Sequence, residues 1–336
     1  MAGVQPARKY CVVFGPLAAL GGTSVGDMAI WLNHPRYARI RDELISRLRS
    51  EKYRFRRLDH VVFLCGGRAS SRRDNLRDYL VKFHKGLSIF YAEAVWTEIV
   101  KAKATASALE IEKYLASLAD VVMVVVESPG TFAELGAFSL SNELRRKLLI
   151  ILDSSFESTE ESFIKTGPVR WVDQDSAFAP TVYAPFSKIL EAASAIDERL
   201  SRLPKPKTAY IHDLGDSPKH LVFFLADLVS VVSPPTVPLL HYYMTNIVKS
   251  DMTEKDVATL VGVAVAMKLV YPHTIPDHQM PRTYYIGHRA QILSRPFHHR
   301  RFDLPTLRAS HLAVLQSIEE AKDVIRTIGT DAEVAT

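Results

Sequence analysis

Cysteine is scarce in this sequence: two in 336 residues, Cys11 and Cys65. Two thiols cannot build a disulfide framework, and both sit in apolar strand-like runs, where they read as buried free cysteines. No Gly-Lys-Ser/Thr closes a glycine-rich turn, so a phosphate-binding P-loop is missing, and so is the glycine spacing of a dinucleotide fingerprint. No apolar run approaches a membrane span, because Glu, Gly or Pro breaks the longest ones. The first ten residues lack the apolar core of a signal sequence, so a cytoplasmic protein with no membrane partner is expected. Metal binding is not expected. His298 and His299 are adjacent and point in different directions, with no Cys or acidic residue at ligand spacing.

The composition present is that of an ordinary globular chain, 47% hydrophobic and 24% charged, long enough for two domains. Short runs of Val, Ile, Leu and Phe recur at Lys9–Phe14, His60–Leu64, Leu87–Tyr91, Val121–Val126 and Lys147–Leu152. Helix-like segments separate them, among them Arg36–Leu48 and Ala102–Leu118. Strands too apolar to alternate, interleaved with helices, predict a doubly wound parallel α/β sheet. In such sheets ligands bind beyond the carboxyl ends of the strands. Gly15 and Pro16, then Gly21 and Gly22, follow the first strand and let a ligand approach the backbone. By the same placement Arg68 follows the second strand, within reach of a substrate phosphate. Tyr91 and Glu93 end the third, where Glu93 reads equally as a helix-start acid.

The sharpest stretch runs from Asp120 to Ser139. Six Val/Met residues end in Glu127-Ser128-Pro129-Gly130-Thr131, and a helix carrying Glu134 follows. Thr131 can cap that helix, which puts Glu134 three residues on, at capping-box spacing. The same spacing stands a carboxylate at the ligand edge of the sheet, and both readings stay open.

Net charge is only +5, but its distribution is uneven. Nine arginines crowd Arg47–Arg77, and Arg54, Arg56, Arg57, Arg72 and Arg73 among them suit a nucleic-acid surface as well as a solvated basic face. A helix expected over Ala184–Leu203 ends at a Pro-Lys-Pro-Lys linker, Pro204–Lys207, dividing the chain into 1–203 and 208–336. Beyond it, helices over Lys219–Val232, Pro235–Ser250 and Met252–Leu269 lead into a hairpin-like excursion over Tyr271–Tyr285. That order suggests a winged helix-turn-helix. Arg282, Arg289, Arg300 and Arg301 make the segment after it basic, and an amphipathic helix over Leu304–Ile328 closes the chain.

Gly15-Pro16 and the run from Val126 to Phe138 resemble the nucleoside 2-deoxyribosyltransferase fold. With Ser162–Pro168 and the winged-helix-like tail, they are similar more specifically to the toxin effectors of bacterial retrons. The resemblance implies that Glu134 attacks the anomeric carbon of a sugar, while the backbone of Ser128, Gly130 and Thr131 shapes the pocket with the Gly21-Gly22 turn. The transferases commonly carry Asp where Ser128 stands, so Glu127 is expected to take over the sugar contact. A helix N-terminus beside Glu134 would favour its ionised form. The implied activity is N-glycosidase action on a nucleotide, with no cofactor and with NAD as the leading substrate. The implied partners are the retron reverse transcriptase and its branched RNA–DNA, the multicopy single-stranded DNA, in an oligomer. Two alternatives stay open on the sequence: a DNA-binding regulator that senses a nucleotide, and a salvage deoxyribosyltransferase.

Overall fold

The apolar runs of the first half form the centre of the molecule. The computed structural model describes residues 31–50, 54–56, 60–102, 114–158, 162–205, 208–248, 251–276, 282–287 and 303–334. The expected strand Lys9–Phe14, with Cys11, Gly15, Pro16, Gly21 and Gly22, lies outside them, as do Arg57, Arg289, His298, His299, Arg300 and Arg301.

The chain opens with helix α1 (Pro35–Arg49) and strand β1 (Arg54–Arg56). Then come β2 (His60–Cys65), α2 (Ser71–Phe83), β3 (Leu87–Tyr91), α3 (Ala92–Ala102), β4 (Val121–Val125), α4 (Pro129–Leu140) and α5 (Asn142–Arg145). Strand β5 (Leu148–Asp153), helix α6 (Arg170–Asp175), strand β6 (Val182–Ala184), helix α7 (Ala193–Leu200) and strand β7 (Thr208–Tyr210) follow. The rest is α8 (Pro218–Val232), α9 (Val237–Ile247), α10 (Glu254–Ala266), the antiparallel pair β8 (Val270–Ile275) and β9 (Arg282–Gly287), α11 (Leu304–Leu315) and α12 (Glu319–Val334).

Five strands pair in parallel in the order β3-β2-β4-β5-β6, with Phe63 opposite Val122 and Val124 opposite Ile150. Alternation sends Val62, Leu64, Met123 and Ile151 to one face, packed with Leu76 and Leu80 of α2 and Ile196 and Leu200 of α7. Phe63, Val124 and Ile150 face the other way, packed with Val95 and Ile99 of α3 and Leu135 and Phe138 of α4. Each fully buried Val, Leu or Phe contributes about 1.5–3 kcal/mol. Both faces are covered, which is why these strands read as continuous apolar runs. From β2 the chain turns one way to β3 and later the other way to β4, β5 and β6. The switch point, and with it the natural binding crevice, lies between the ends of β2 and β4.

The apolar core runs on into the second half of the chain. Leu221–Val232 of α8 are all buried, and the same cluster takes in Leu240, Val263 and Leu315. Helix α1 docks on this half, with the Tyr37 and Tyr243 hydroxyls 3.0 Å apart and Arg41 over the Tyr242 ring at 4.8 Å. Strand β1 pairs antiparallel with β7 across the Pro-Lys-Pro-Lys segment. Among the described residues no single helix is long and apolar enough to cross a membrane.

The structure departs from the sequence reading in three places. Helix α3 (Ala92–Ala102), directly after β3, is a helix the sequence reading did not foresee beyond Glu93 as a helix-start acid; the expected helix Ala102–Leu118 lies largely outside the described residues, and its described end, 114–118, is helical. The expected helix Ala184–Leu203 is β6, then a 3-10 stretch Phe186–Ala192 kinked at Lys188, then α7. Pro180 and Pro185 flank three strand residues too few to show a pattern. The last helix breaks between Leu315 and Glu319. Of the winged-helix expectation the structure shows the element order: three helices and a hairpin follow one another, with α10 packing Val257, Leu260, Val261, Val263 and Ala264 into the core and exposing Lys255 and Asp256 in its first turn.

Candidate active site

Loops from β2, β3 and β4 meet at the switch point. After β4, Pro129 takes the first helical position and Ser128 caps the helix, its Oγ accepting the Thr131 N–H at 3.3 Å. Thr131 closes the reciprocal half of the box: its hydroxyl oxygen accepts the Ser128 and Glu127 N–H groups, each at 2.9 Å, and donates to the Ser128 carbonyl at 2.8 Å. The helix therefore starts three residues before the expected cap at Thr131. Glu134 falls in the second turn, outside any capping box. Thr131 is buried with its hydroxyl fully committed to shaping the turn.

Glu127 and Glu134 have opposite surroundings. The Glu127 side chain is 3% exposed; its Oε1 accepts the Gly67 N–H at 2.9 Å and its Oε2 accepts Arg72 Nη1 at 3.0 Å. This carboxylate ties the two lips of the crevice together, and a Cβ on Gly67 would meet Glu127 Oε1 at 3.3 Å. Arg72 also donates from Nε to the Phe186 carbonyl at 3.0 Å and lies 5.3 Å over the Phe186 ring. Glu134 Oε2, in contrast, is buried without a hydrogen-bond partner among the described residues. Burial first, and then the Glu93 carboxylate, push the Glu134 acid above the ordinary carboxylate range, while Arg73 opposes them. The expected stabilisation of the ionised form by the helix N-terminus is thus outweighed: the second turn is beyond the reach of the end charges, and burial acts the other way.

Beside Glu134, Glu93 opens α3 and is bonded to Arg73 Nη1. Arg73 is buried, 4.1 Å over the Tyr91 ring, and Tyr91 donates its hydroxyl to Asp74. The Arg73 stem fills the space a Cβ on Gly66 would need, with Cδ at 2.7 Å. Burial, then Glu134 and Glu93, raise the Cys65 thiol well above its usual range, so it stays protonated. Ala69 at φ 57° holds the left-handed region without being glycine, a cost of about 1–2 kcal/mol stored in this loop.

The structure thus brings together Glu127, Ser128, Thr131, Glu134, Tyr91 and Glu93 at one sheet edge, with Arg68 exposed on the turn after β2 and Gly130 in the first turn of α4. Arg73, expected on a nucleic-acid surface, is instead buried within this group. A signal for that exists: Arg73, Leu76 and Leu80 share the buried stripe of α2 at helical spacing. Arg72 is exposed but engaged with Glu127 and Phe186, while Arg282 is half-buried in β9. Arg54 and Arg56 lie in β1. Among the described residues no cluster of His, Cys, Asp and Glu could hold a metal ion.

Residues 69–272 match the model of the STM3845 retron effector protein family. The chain is 41% identical over 121 residues to the Retron Ec86 ribosyltransferase/DNA-binding protein of Escherichia coli, roles that its name gives as proposed ones. That match covers 35% of the chain and 39% of the Ec86 protein, so it spans well under half of that relative's length. The similarly named Retron Ec73 protein of Escherichia coli is 28% identical over 235 residues, covering 62% of the chain and 73% of the relative. The family match covers more than half of the chain, takes in Arg73, Glu93, Glu127 and Glu134 and runs on through α10, so this chain belongs to the STM3845 retron effector family.

Proposed function

We propose that this effector is a toxin that breaks the N-glycosidic bond of a nucleotide, NAD being the first candidate. The observation that carries the reading is the buried, unpartnered Glu134 Oε2 at the switch point of the sheet. Burying a carboxylate oxygen without a partner costs folding free energy, and such groups are retained where a ligand supplies the partner. The Glu134 carboxylate attacks the anomeric carbon as the bond to the base breaks, and the electron pair leaves on the base nitrogen. Water then opens the glycosyl ester, releases the ribosyl product with its new hydroxyl, and returns a proton to solution. For NAD the products are nicotinamide and ADP-ribose. Glu127 acts as the brace that fixes the crevice width, through Gly67 and Arg72.

The ribosyltransferase part of the relatives' names supports glycosyl chemistry of this class. Their DNA-binding part supports contact with the DNA of the branched RNA–DNA; that the reverse transcriptase and this nucleic acid hold the toxin in check in a larger assembly belongs to the same proposal. The test is to incubate the purified chain, alone and with its retron partners, with NAD, dNTPs and nucleosides, and to resolve the products by chromatography. Nicotinamide and ADP-ribose from wild type but not from Glu134→Gln are expected. Base exchange between deoxynucleosides would point to a transferase, and no turnover in any arm would overturn the reading.

A further inference from the structure

The motif that draws attention to this site ends at Glu134, yet the most heavily constrained side chain in the crevice is Arg73. It is 5% exposed, it lies on α2 rather than on the α4 motif, and a surface role does not explain its position. Three features hold it, and one donor is left over. Nη1 bonds Glu93 Oε1 and reaches the Gly66 carbonyl at 3.5 Å. The guanidinium lies over Tyr91, whose hydroxyl is in turn fixed by Asp74. The stem packs where only glycine at position 66 leaves room. Nε, 3.9 Å from Asp74 Oδ1, has no hydrogen-bond partner. An arginine buried with one donor unsatisfied is costly. Its placement makes sense where its charge is needed.

We infer that Arg73 is a positioning residue for the Glu134 reaction: it binds the Glu93 carboxylate and brings a buried positive charge to the strand-end edge where Glu134 stands. This rests on the N-glycosidase reading of Glu134. Glu93 acts on Glu134 in the direction of protonation and Arg73 in the opposite one. Only the ionised Glu134 can attack carbon, so Arg73 extends the pH range of the nucleophile downward. Among the described residues the neighbouring charged groups have partners of their own, Arg145 of α5 bonding Asp175 and Asn142. Cys65 is a protonated thiol, Asp74 is taken by Tyr91, Arg77 lies 5.9 Å from the Tyr91 ring, and Glu127 is held by Gly67 and Arg72. On the segment packed against α4, Lys165 donates to the Glu157 carbonyl.

The test is the pH profile of kcat/KM for nucleotide hydrolysis by the full chain, in wild type, Arg73→Gln, Arg73→Lys and Glu93→Gln. Arg73→Gln should move the acidic limb to higher pH, Arg73→Lys should restore part of that shift, and Glu93→Gln should move the limb to lower pH. A purely structural Arg73 would lower the rate at every pH and leave the limb in place, which would overturn the inference. A second readout needs no turnover. The Glu134 carboxyl is titrated by carbon-13 NMR in protein labelled at glutamate, with Glu134→Gln assigning the signal. The midpoint should rise in Arg73→Gln and fall in Glu93→Gln. If Arg73→Gln fails to fold, Glu93→Gln at its half-exposed position carries the test, and an unmoved midpoint there overturns the inference. Absence of any wild-type turnover would strike the N-glycosidase reading, whereas turnover with immobile midpoints would strike only the role of Arg73.

Discussion

Two charged regions of this molecule have been solved in opposite ways. At the seam between the sheet and α8, Asp120 accepts the Val61 N–H at 2.8 Å, bonds Lys219, and lies 3.7 Å from His60. Burial opposes its charge, but these partners outweigh burial and hold Asp120 well below the ordinary carboxylate range. In the crevice, Glu134 is also withdrawn from water, yet one oxygen has no partner and its nearest anionic neighbour pushes it the other way. The seam is complete as it stands. The crevice leaves one carboxylate oxygen unpaired among the described residues, and on the proposed function that contrast separates a structural carboxylate from a functional one.

The largest expected effect breaks the crevice side. Glu134→Gln should reduce nucleotide hydrolysis by at least about 10³-fold, read from initial rates, because the attacking group is gone. Breaking the seam should cost fold rather than chemistry. Asp120→Ala leaves Lys219 and the Val61 N–H without their acceptor and should lower stability by about 3 kcal/mol in urea unfolding. For this depressed acid the sign is fixed: its stabilisation is present above the unfolded carboxyl value of about 4 and is lost as pH falls below that. The Asp120→Ala penalty should therefore shrink in acid.

His311 is a second buried group to set against the crevice. Burial pushes its imidazole down to about 4, against the pull of the Leu307 carbonyl. The unfolded chain then takes up the proton first, so stability falls as pH drops from about 6.5 through 4. His311→Leu should flatten that part of the stability curve, which is worth about 3 kcal/mol at full protonation. Glu127→Gln sharpens the comparison within the crevice: it keeps an acceptor for Gly67 but weakens the Arg72 bond. A loss of about 1–2 kcal/mol is expected, with a partial fall in rate. The smallest effect is Ala69→Gly, which relieves the left-handed backbone and should raise stability by about 0.5–1 kcal/mol.

Much of this was legible in the sequence, for identifiable reasons. The strands at 60–65, 87–91, 121–125 and 148–153 announce themselves because both faces of the sheet are covered. Strand β6 did not, since three residues between prolines carry no period. Glu134 was found from its place after the Ser-Pro-Gly-Thr turn, but its missing partner was not, because solvation depends on what α2 and α3 bring alongside. Arg73 was read with its exposed neighbours as one basic patch. The apolar stripe through Leu76 and Leu80 marked it as the arginine facing inward. The helix order of the second half was readable as well, whereas the packing of α10 against the core was not, because its mild Ala/Val/Gly pattern suits a buried helix and a surface one alike.

The most direct measurement sets activity and stability of Glu134→Gln beside each other, by nucleotide hydrolysis and by thermal unfolding of the same preparation. The account predicts lost turnover with a melting temperature equal to or above wild type, because an unpartnered buried anion has been removed at a site that folding does not need. Turnover retained at wild-type level, or activity lost only together with the fold, would contradict it.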